Sequence, residues 1–479
     1  MEYLSGLLPE LVLVVGAMVL LMAGAFGRES EGASELVGWS AVFVLGLAGV
    51  VLGRQSGIVA PLFDGAFAPD GFARFAKMLI LIGSAVTLLM SFSWLRHAKI
   101  LAFELPILVL LATYGMMMMV SAGDLIALYL GIELQSLALY VLAAIHRDNV
   151  RSSESGLKYF VLGALSSGML LYGASLIYGF TGSTSFAQIA ASTKAGNVTE
   201  NIGLIVGLVF LLVGLAFKIS AVPFHMWTPD VYQGAPTPIT AFFAAAPKIA
   251  AFALLTRVLV TAFPGMTAQW QQIIAFLSVG SMFVGALGAI GQSNIKRLLA
   301  YSSIGHVGFA LVGLAAGSEA GIESVLVYLA IYLVMTLGIF ACVLAMRRKD
   351  EQIEEIGELA GLAETNLGMA FMMGALLFSL AGVPPLAGFI AKLWVFSAAI
   401  KAGLYPLAVI GVLASVVSAF YYLRIVKIMF FDEKKAPFNP VDGMQHLVMV
   451  AACLFVIGYV VFPSPLVDAA AAAAKSLAF

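Results

Sequence analysis

The chain has 479 residues, of which 62% are hydrophobic and only 11% are charged. Soluble domains carry about 25% charged residues. Together with a mean hydropathy of +1.03, this composition excludes a soluble protein and predicts a polytopic membrane protein. The formal net charge is −1, so a nucleic-acid partner has no electrostatic support.

Cysteine usage limits the chemistry of the chain. The two cysteines, Cys342 and Cys453, both lie in apolar runs. They are too few to bind an iron–sulfur cluster with the usual four thiolates, and they do not form a CxxC zinc pair. GxGxxG and P-loop motifs are also missing from the sequence. We therefore expect no bound cofactor or metal on this chain, and any linked redox reaction should take place in another subunit.

Apolar runs divide the chain into about fourteen predicted membrane spans, each roughly twenty residues long. In chain order they cover residues 7–26, 36–53, 75–93, 104–121, 123–145, 157–180, 203–222, 238–262, 273–290, 297–317, 324–346, 367–401, 404–430 and 444–466. The loops are too short for a soluble domain. We therefore predict that residues 1–479 form a single all-α membrane domain.

Basic residues in the loops predict the orientation of the chain, because they concentrate on the cytoplasmic side. Loops after odd-numbered spans contain Arg28, Arg96, Lys99, Arg147, Arg151, Lys296, Arg297, Arg347, Arg348, Lys349, Lys434 and Lys435. Loops after even-numbered spans contain only Arg54, Arg74, Lys194 and Lys401. The odd loops should therefore face the cytoplasm, and both termini should lie on the non-cytoplasmic side.

Most ionisable residues lie in loops or at span ends, and the informative exceptions are Glu133 in the fifth predicted span, Lys218 in the seventh, Lys248 in the eighth and Lys392 in the twelfth. A charge at the centre of a membrane helix costs about 2.5–3.5 kcal/mol, so such groups face the bundle interior, pair with one another or line a hydrated path. Three lysines need more counter-charge than one glutamate supplies. We therefore expect some of them to be neutral part of the time, as a proton carrier requires. Static ion pairs between helices are the alternative.

Prolines interrupt two of these spans beside a lysine. Pro223 follows Lys218 in the seventh span, and Pro384 and Pro385 divide the twelfth span before Lys392. Broken membrane helices are tolerated where they line a water-filled cavity, although a simple packing kink is the alternative. The two breaks lie five spans apart, which predicts broken helices 7 and 12 and an internal repeat of spans 4–8 in spans 9–13.

Two histidines and a tyrosine are candidates for a proton relay. His225 follows the Pro223 break, and His306 lies near the start of the tenth span. Histidine titrates near neutral pH, so either residue could relay protons or simply be a hydrogen-bonded structural residue. Tyr301 could hold water beside His306 or pack helices together.

Three charged residues near span ends are ambiguous. Lys158, at the start of the sixth span, could snorkel to the interface or supply protons to the region of Glu133. Glu104 opens the fourth span and is open to the same two interpretations. Asp230 is either a helix-end residue or a holder of water at the mouth of a channel.

Four stretches of sequence resemble one known family, in the same order along the chain. They are LYLGIELQSLALYVLAA, AFKISAVPFHMWTPDVYQGAPTPITAFFAAAPK, IKRLLAYSSIGHVGFALVGL and GVPPLAGFIAKLWVF. They are similar to the antiporter-like membrane subunits of respiratory complex I, the proton-pumping NADH:quinone oxidoreductase. The resemblance runs from about the fourth span to the thirteenth.

The resemblance implies a fold of fourteen helices with two inverted five-helix repeats, at residues 104–262 and 273–430. Three further spans would precede them in residues 1–103, and a last span would follow at 444–466. It also implies a proton half-channel from each side of the membrane, joined by a central polar axis.

Residue roles also follow from the resemblance. Glu133 would pair with Lys218, Lys248 would be the central lysine, and Lys392 would lie near the outward exit. A paralogous subunit has glutamate at the position of Lys392, and the largest paralogue carries a long lateral helix. Lysine at this position, and a chain ending after the fourteenth span, argue against both.

The expected function is therefore that of a proton-translocating subunit, driven by quinone reduction elsewhere in complex I. It would be part of an enzyme, a translocase, without a redox or nucleotide site of its own. FMN, iron–sulfur clusters and quinone are expected in other subunits. Its partners would be other membrane subunits, including antiporter-like paralogues, and lipid. The length and the lack of a transit peptide predict the bacterial plasma membrane.

Two other functions are compatible with the buried charges. A subunit of a multisubunit cation/proton antiporter shares the lysine and glutamate set, although the stretch ELQSLALYVLAA favours complex I. A structural or assembly protein with static ion pairs is the third possibility.

Overall fold

The computed structural model describes residues 2–26, 31–55, 60–195, 201–349 and 351–477. Arg28, one of the basic residues used to predict the orientation, lies outside them. Three long helices begin the described chain, and they are α1 (Glu2–Phe26), α2 (Glu31–Arg54) and α3 (Gly71–His97).

The next part of the chain contains eight helices. They are α4 (Glu104–Val120), α5 (Leu125–Ala143), α6 (Val150–Thr181), α7 (Phe186–Ala195), α8 (Ile202–Ile219), α9 (Trp227–Gly234), α10 (Thr237–Ala244) and α11 (Ala246–Arg257). A π-helical turn, Val258–Ala262, and a 3-10 turn, Pro264–Met266, extend α11 toward the following helix.

Nine more helices complete the described chain. They are α12 (Thr267–Ile290), α13 (Ile295–Ala315), α14 (Glu319–Ala345), α15 (Leu362–Thr365), α16 (Leu367–Ala381), α17 (Ala387–Lys401), α18 (Tyr405–Phe431), α19 (Gly443–Gly458) and α20 (Ser464–Lys475). Between α14 and α15 lie two short antiparallel strands, β1 (Arg347–Arg348) and β2 (Glu351–Gln352), and a 3-10 turn, Ile356–Leu359.

The prediction of an all-helical membrane protein is confirmed. Within the described residues, eleven helical segments are long and apolar enough to cross a membrane. The predicted spans at 104–121, 367–401 and 444–466 fall instead on the shorter apolar helices α4, α16 and α19, with α17 as the second half of the twelfth span. The total of fourteen spans therefore remains a prediction.

The centre of the bundle consists of α10, α11, α13 and α14, whose residues are almost all buried. These helices are apolar all round, which is the pattern of a helix that other helices surround. Glycine allows the close approach of α13 to α12, because a Cβ on Gly285 would lie 2.4 Å from the backbone nitrogen of Gly305. The central helices carry Lys248 and His306, so the packing places both away from lipid.

The chain is interrupted at both predicted breaks. α8 ends at Ile219, where Ser220 adopts a left-handed conformation with φ 65°. α16 ends at Ala381, where Gly382 has φ 87°, and the chain passes through two prolines before α17 begins. Each left-handed residue terminates its helix in the usual manner of a C-terminal cap.

A third interruption lies in the eighth span. α10 ends at Ala244 and α11 begins at Ala246, with Ala245 between them outside the helical region. Pro247 lacks the N–H that would continue the helical hydrogen bonds across this point. The interruption places Lys248 in the first turn of a new helix instead of the middle of a continuous one.

The connection between α14 and α15 is fastened to the ends of several helices. Gln352 accepts a hydrogen bond from the Trp94 indole at 2.6 Å, and the carbonyl of Glu354 accepts one from the backbone of Ile295 at 2.7 Å. Glu358 forms ion pairs with Arg348 and Lys435. Ionic contacts therefore hold this connection over one end of the bundle.

Acid should release the Glu358 contacts. Hydrogen bonds from Lys435 and Arg348 hold the pKa of the Glu358 carboxyl below its ordinary value. Its contribution to stability is therefore present above the pKa of an unfolded glutamate and is lost as pH falls through the depressed folded value. In detergent, we expect Tm to fall across that acid range, and to fall less in Glu358→Gln. The exposed Glu433→Gln variant is the control, and equal acid-induced decreases in all three proteins would contradict the assignment.

Candidate functional site

Glu133 and Lys218 approach each other through serine hydroxyls. Glu133, half-buried on α5, accepts a hydrogen bond from Ser167 on α6. Lys218, in the last turn of α8, donates from Nζ to Ser136 Oγ at 2.7 Å. Ser136 lies one helical turn beyond Glu133, and the Glu133 charge acts on Lys218 through space. Among the described residues the two do not form the direct ion pair that the resemblance implied.

Lys248 contacts the break in the preceding span. Its side chain is buried, and its Nζ donates to Ser220 Oγ at 3.3 Å. Ser220 is the left-handed residue that ends α8, two positions after Lys218. The same Nζ lies 5.8 Å from the ring centroid of Tyr232. The end of α8 therefore brings a hydroxyl to the central lysine.

His306 is the centre of a buried hydrogen-bond cluster formed by three helices. Its Nδ1 lies 2.7 Å from the hydroxyl of Tyr328 on α14, and its Nε2 lies 3.1 Å from the hydroxyl of Tyr422 on α18. The Tyr422 hydroxyl also shares a hydrogen bond with Ser302, on the helix of His306. Because a hydroxyl can donate or accept, a proton can reside on either ring nitrogen without loss of hydrogen bonding.

Lys392 lies on the second half of the broken twelfth span and contacts the end of the first half. From α17 its Nζ donates to the carbonyls of Leu380 and Ala381 at 3.2 and 2.9 Å, and to Ser415 Oγ on α18 at 2.9 Å. The two carbonyls end α16, where the break leaves them without helical partners. A cation is favourable at this end of a helix dipole. The charges of Lys248 and Lys392 both act on His306 through space.

Three other predicted residues lie away from this buried set. Lys158 forms ion pairs with Asp230 at 2.8 Å and with Glu154 at 2.7 Å, so it contacts these acids and not Glu133. Asp230 also binds Arg297 at 2.7 Å and thus links α6, α9 and α13. Glu104 is exposed in the first turn of α4, on the rim of a surface cleft.

Burial would raise the pKa of the Asp230 carboxyl, but hydrogen bonds from Lys158 and Arg297 outweigh it and hold the pKa below its ordinary value. Asp230 is therefore ionised at neutral pH and serves as the acid of an ion-pair cluster. This geometry fits the interpretation of Asp230 as a helix-end residue.

The two remaining candidates differ from the expected relay geometry. His225 is half-buried in the connection between α8 and α9, and among the described contacts it does not bind Lys218 or Lys248. Tyr301 packs on α12, where a Cβ on Gly288 would lie 2.4 Å from its ring. The hydroxyls beside His306 come from Tyr328 and Tyr422 instead.

The structure contains a buried ion pair outside the central helices that the sequence analysis did not predict. Lys77 on α3 lies 2.6 Å from Glu10 on α1, and both side chains are only 2% exposed. Each residue lies near the end of an apolar run, so each looked like an ordinary end-of-span charge. The usable signal was opposite charge at the ends of two runs that could pack against each other.

Comparisons with known proteins show the family to which the chain belongs. Residues 122–418 match the family model described as "NADH:quinone oxidoreductase/Mrp antiporter, TM". The chain is 58% identical to NADH-quinone oxidoreductase subunit N of Parvibaculum lavamentivorans, over 99% of this chain and 98% of that protein. It is 59% identical to NADH-quinone oxidoreductase subunit N 1 of Rhizobium meliloti, over 98% and 97% of the two chains.

Solved structures show the same relationship. One chain of respiratory complex I from Thermus thermophilus with bound aureothin has a TM-score of 0.81 and 33% identity, with 97% of this chain and 99% of that chain covered. A chain of the Mrp complex from Dietzia has a TM-score of 0.83 at 23% identity, over 98% and 97% of the two chains. At this identity the second likeness shows the fold alone.

The family model, together with buried lysines beside two broken helices, identifies an antiporter-like membrane subunit. The family match covers more than half of the chain, and the relatives match over nearly its whole length. The chain belongs to the NADH:quinone oxidoreductase/Mrp antiporter family, in the branch of the subunit N proteins. The family resemblance found in the sequence is therefore confirmed.

Proposed function

We propose that this chain is a proton-translocating membrane subunit of NADH:quinone oxidoreductase, complex I. It works as part of a translocase, in a multi-pass arrangement in the bacterial plasma membrane. Quinone reduction in other subunits drives it. The observation that carries the proposal is the buried series of proton-holding side chains formed by Lys218, Lys248, His306 and Lys392, each of which is hydrogen-bonded to a hydroxyl.

Each member of the series has an atom that can hold a proton. When the Glu133 carboxylate takes up a proton, Lys218 loses a nearby counter-charge, and its Nζ can then pass its own proton on. The proton then passes by way of water and the Ser220 hydroxyl to the Nζ of Lys248. From there it passes to His306, whose hydroxyl partners accept either tautomer, and then to Lys392 near the exit.

The finer architecture follows from the same function. Fourteen spans would form two inverted five-helix repeats, at 104–262 and 273–430, after three spans in residues 1–103 and before a last span at 444–466. The breaks after α8 and α16 would occupy equivalent places in the two repeats. With the odd loops in the cytoplasm, both termini would lie on the opposite side.

Membership in complex I also implies partners and cofactors. Other membrane subunits of complex I, including antiporter-like paralogues, and lipid would cover the exposed apolar faces of the outer helices. FMN, iron–sulfur clusters and quinone would be held by other subunits.

A subunit of a multisubunit cation/proton antiporter is the second candidate. The description of the matching family model also includes the Mrp antiporter. Proteins that copurify with the chain distinguish the two: flavin and iron–sulfur subunits support the first proposal, and antiporter subunits alone support the second.

Replacing Lys218 by methionine should reduce proton translocation by the subunit. Methionine preserves the apolar stem but removes the proton-holding nitrogen, so we expect proton translocation in the assembled complex to fall by roughly tenfold or more. Glu133→Gln should produce a smaller loss of the same kind, because Glu133 acts on Lys218 through space and not by direct contact.

NADH-driven proton translocation in inverted membrane vesicles is the measurement. Lys194→Met, at an exposed position on α7, is the matched control and should translocate normally. Wild-type translocation in both the Lys218 and Glu133 variants would overturn the proposal that this pair is part of the pathway.

A further inference from the structure

A cleft of about 870 Å³ opens on the surface where α4, α5 and α6 meet. This volume lies within the range of about 300–1,000 Å³ that small-molecule sites occupy. The polar end of the cleft is formed by the connection between α3 and α4 and by the turn between α5 and α6. Both connections follow odd-numbered spans, so the predicted orientation places this end at the cytoplasmic interface of the membrane.

Charged side chains of both signs line the polar end. The α3–α4 connection contributes Lys99 and leads to Glu104, the first residue of α4, and the α5–α6 turn contributes Arg147 and Asp148. His146 also lines this end. All four charged residues are exposed, and within the part of the chain that the structure describes none of them forms an ion pair. Two cations and two carboxylates are therefore available to a ligand from outside the chain.

Hydrogen bonds of the backbone fix the places of these charges. Lys99 has φ 56° and lies just after α3, where its N–H and that of Ile100 each bond a carbonyl in the last turn of the helix at 3.1 Å. This is the Schellman pattern of a helix end. In the α5–α6 turn, the Ser153 hydroxyl donates to the carbonyl of Arg147 at 3.0 Å. The two cations therefore stand on defined backbone on opposite sides of the cleft.

The rest of the lining is largely apolar. Leu108 on α4, Val141 on α5, and Leu157 and Phe160 on α6 belong to it, and all but Leu108 are exposed. Phe160 lies ten residues after the start of α6, a rise of about 15 Å. This is half of the roughly 30 Å hydrocarbon thickness of a bilayer. The apolar wall therefore covers about the depth of one leaflet beside the charged end.

A charged end beside an apolar wall of this depth matches a phospholipid, and the signs of the charges select the headgroup. Lys99 and Arg147 suit a phosphate, whereas Glu104 and Asp148 suit a cation. A purely anionic headgroup would leave the two carboxylates unmatched. A neighbouring subunit seated in the cleft would bury all four charges in an interface core, where charged residues are depleted. A zwitterionic headgroup is the occupant that matches both signs.

The carboxylates also distinguish two kinds of zwitterionic headgroup. Quaternary ammonium groups are recognised by aromatic cages, whereas a primary ammonium group donates hydrogen bonds to carboxylates. At the polar end of the cleft the lining groups for a cation are the carboxylates of Glu104 and Asp148. The chemistry therefore favours a primary ammonium group, as in phosphatidylethanolamine.

We propose that the cleft between α4, α5 and α6 binds a phosphatidylethanolamine molecule of the cytoplasmic leaflet. Its phosphate binds Lys99 and Arg147, and its ammonium group binds Glu104 and Asp148. An acyl chain lies along the apolar wall and reaches Phe160. The inference needs the membrane location of the chain and is independent of the proposed proton translocation.

Photo-crosslinking in the assembled complex tests the site. The complex is reconstituted in phosphatidylcholine vesicles that contain a small fraction of phosphatidylethanolamine with a diazirine in its acyl chain. After illumination, mass spectrometry measures the label on the peptide that contains Leu157 and Phe160. Lys99→Asn/Arg147→Gln removes both cations, and asparagine tolerates the left-handed backbone. We expect labelling to fall roughly threefold to tenfold, because charge-assisted hydrogen bonds are lost.

A second double variant tests the zwitterionic headgroup. Glu104→Gln/Asp148→Gln should lower the labelling by a similar factor, and labelled phosphatidylglycerol at the same fraction should label the wild type less than labelled phosphatidylethanolamine does. The control is Glu364→Gln/Lys434→Gln, which removes an exposed ion pair outside the cleft and should leave labelling unchanged. Copurifying subunits show that each variant assembles.

Three results would overturn the proposal. Equal labelling in the wild type and both cleft variants would mean that only bulk lipid contacts this surface. Stronger labelling by phosphatidylglycerol, together with a gain in the variant without carboxylates, would assign an anionic lipid instead. Absence of lipid label from the α6 peptide of the wild type would mean that a neighbouring subunit fills the cleft.

Discussion

Lys248→Met should reduce NADH-driven proton translocation in the assembled complex more than any other single change, by roughly a hundredfold if the whole general acid–base contribution is lost. The variant keeps the length and apolar volume of the side chain, so the central helices should still pack. It removes the nitrogen that donates to the Ser220 hydroxyl and whose charge acts on His306 through space. The measurement is the ratio of the initial rate of proton translocation to the initial rate of NADH oxidation in inverted vesicles.

Lys401→Met is the matched control, because Lys401 is exposed at the end of α17. Both variants should assemble to the same level, as judged by copurifying subunits. Assembly without translocation is the expected outcome for Lys248→Met. Assembly with normal translocation would mean that the proton passes elsewhere.

Lys77→Met should destabilise the protein by about 3–5 kcal/mol, because it leaves the Glu10 carboxylate buried without its partner. The double variant Glu10→Gln/Lys77→Met removes both charges and should recover most of that loss. Thermal unfolding of the detergent-solubilised protein, followed by helical circular dichroism, measures both.

Arg96→Met is the control for this ion pair. Arg96 pairs with Glu35 at 2.6 Å, but the side chains are 50% and 35% exposed. Exposed ion pairs contribute about 0–1 kcal/mol, so this variant should unfold near the wild-type temperature. Equal losses in Lys77→Met and in the double variant would show that the packing around Lys77, and not its charge, stabilises the contact between α1 and α3.

The buried lysines could be predicted from the sequence, because the free-energy cost of a charge in a membrane helix depends on the apolar residues that surround it in the chain. Lys218, Lys248 and Lys392 each stand in an apolar run, and an ionisable residue in such a run requires a special environment wherever the chain folds. The breaks beside Lys218 and Lys392 could also be predicted from the local sequence, because proline removes a backbone donor regardless of its neighbours.

Partners on other helices were beyond sequence reasoning. Tyr328 and Tyr422 reach His306 from α14 and α18, at separations of 22 and 116 residues. Tyr301 was the nearer tyrosine along the chain, but its ring lies against α12. Ser136 is another such partner, because it accepts a hydrogen bond from Lys218 across 82 residues of chain, from α8 to α5. Hydroxyls of this kind are common in packed membrane helices, and only the fold selects among them.

The environment of charges at the ends of apolar runs could not be predicted for a related reason. A charge at such a position usually reaches water, but the folded bundle buries both Glu10 and Lys77. Lys158 and Asp230 had several possible partners, and the approach of α6, α9 and α13 selects one arrangement among them.

A density map of the assembled complex, at a resolution that shows ordered water, tests the central claim most directly. We predict water molecules within hydrogen-bonding distance of one another from Lys218 through Lys248 and His306 to Lys392, joined by the hydroxyls of Ser220 and Tyr422. A dry, hydrocarbon-filled gap between Lys248 and Lys392 in every state of the working complex would contradict it.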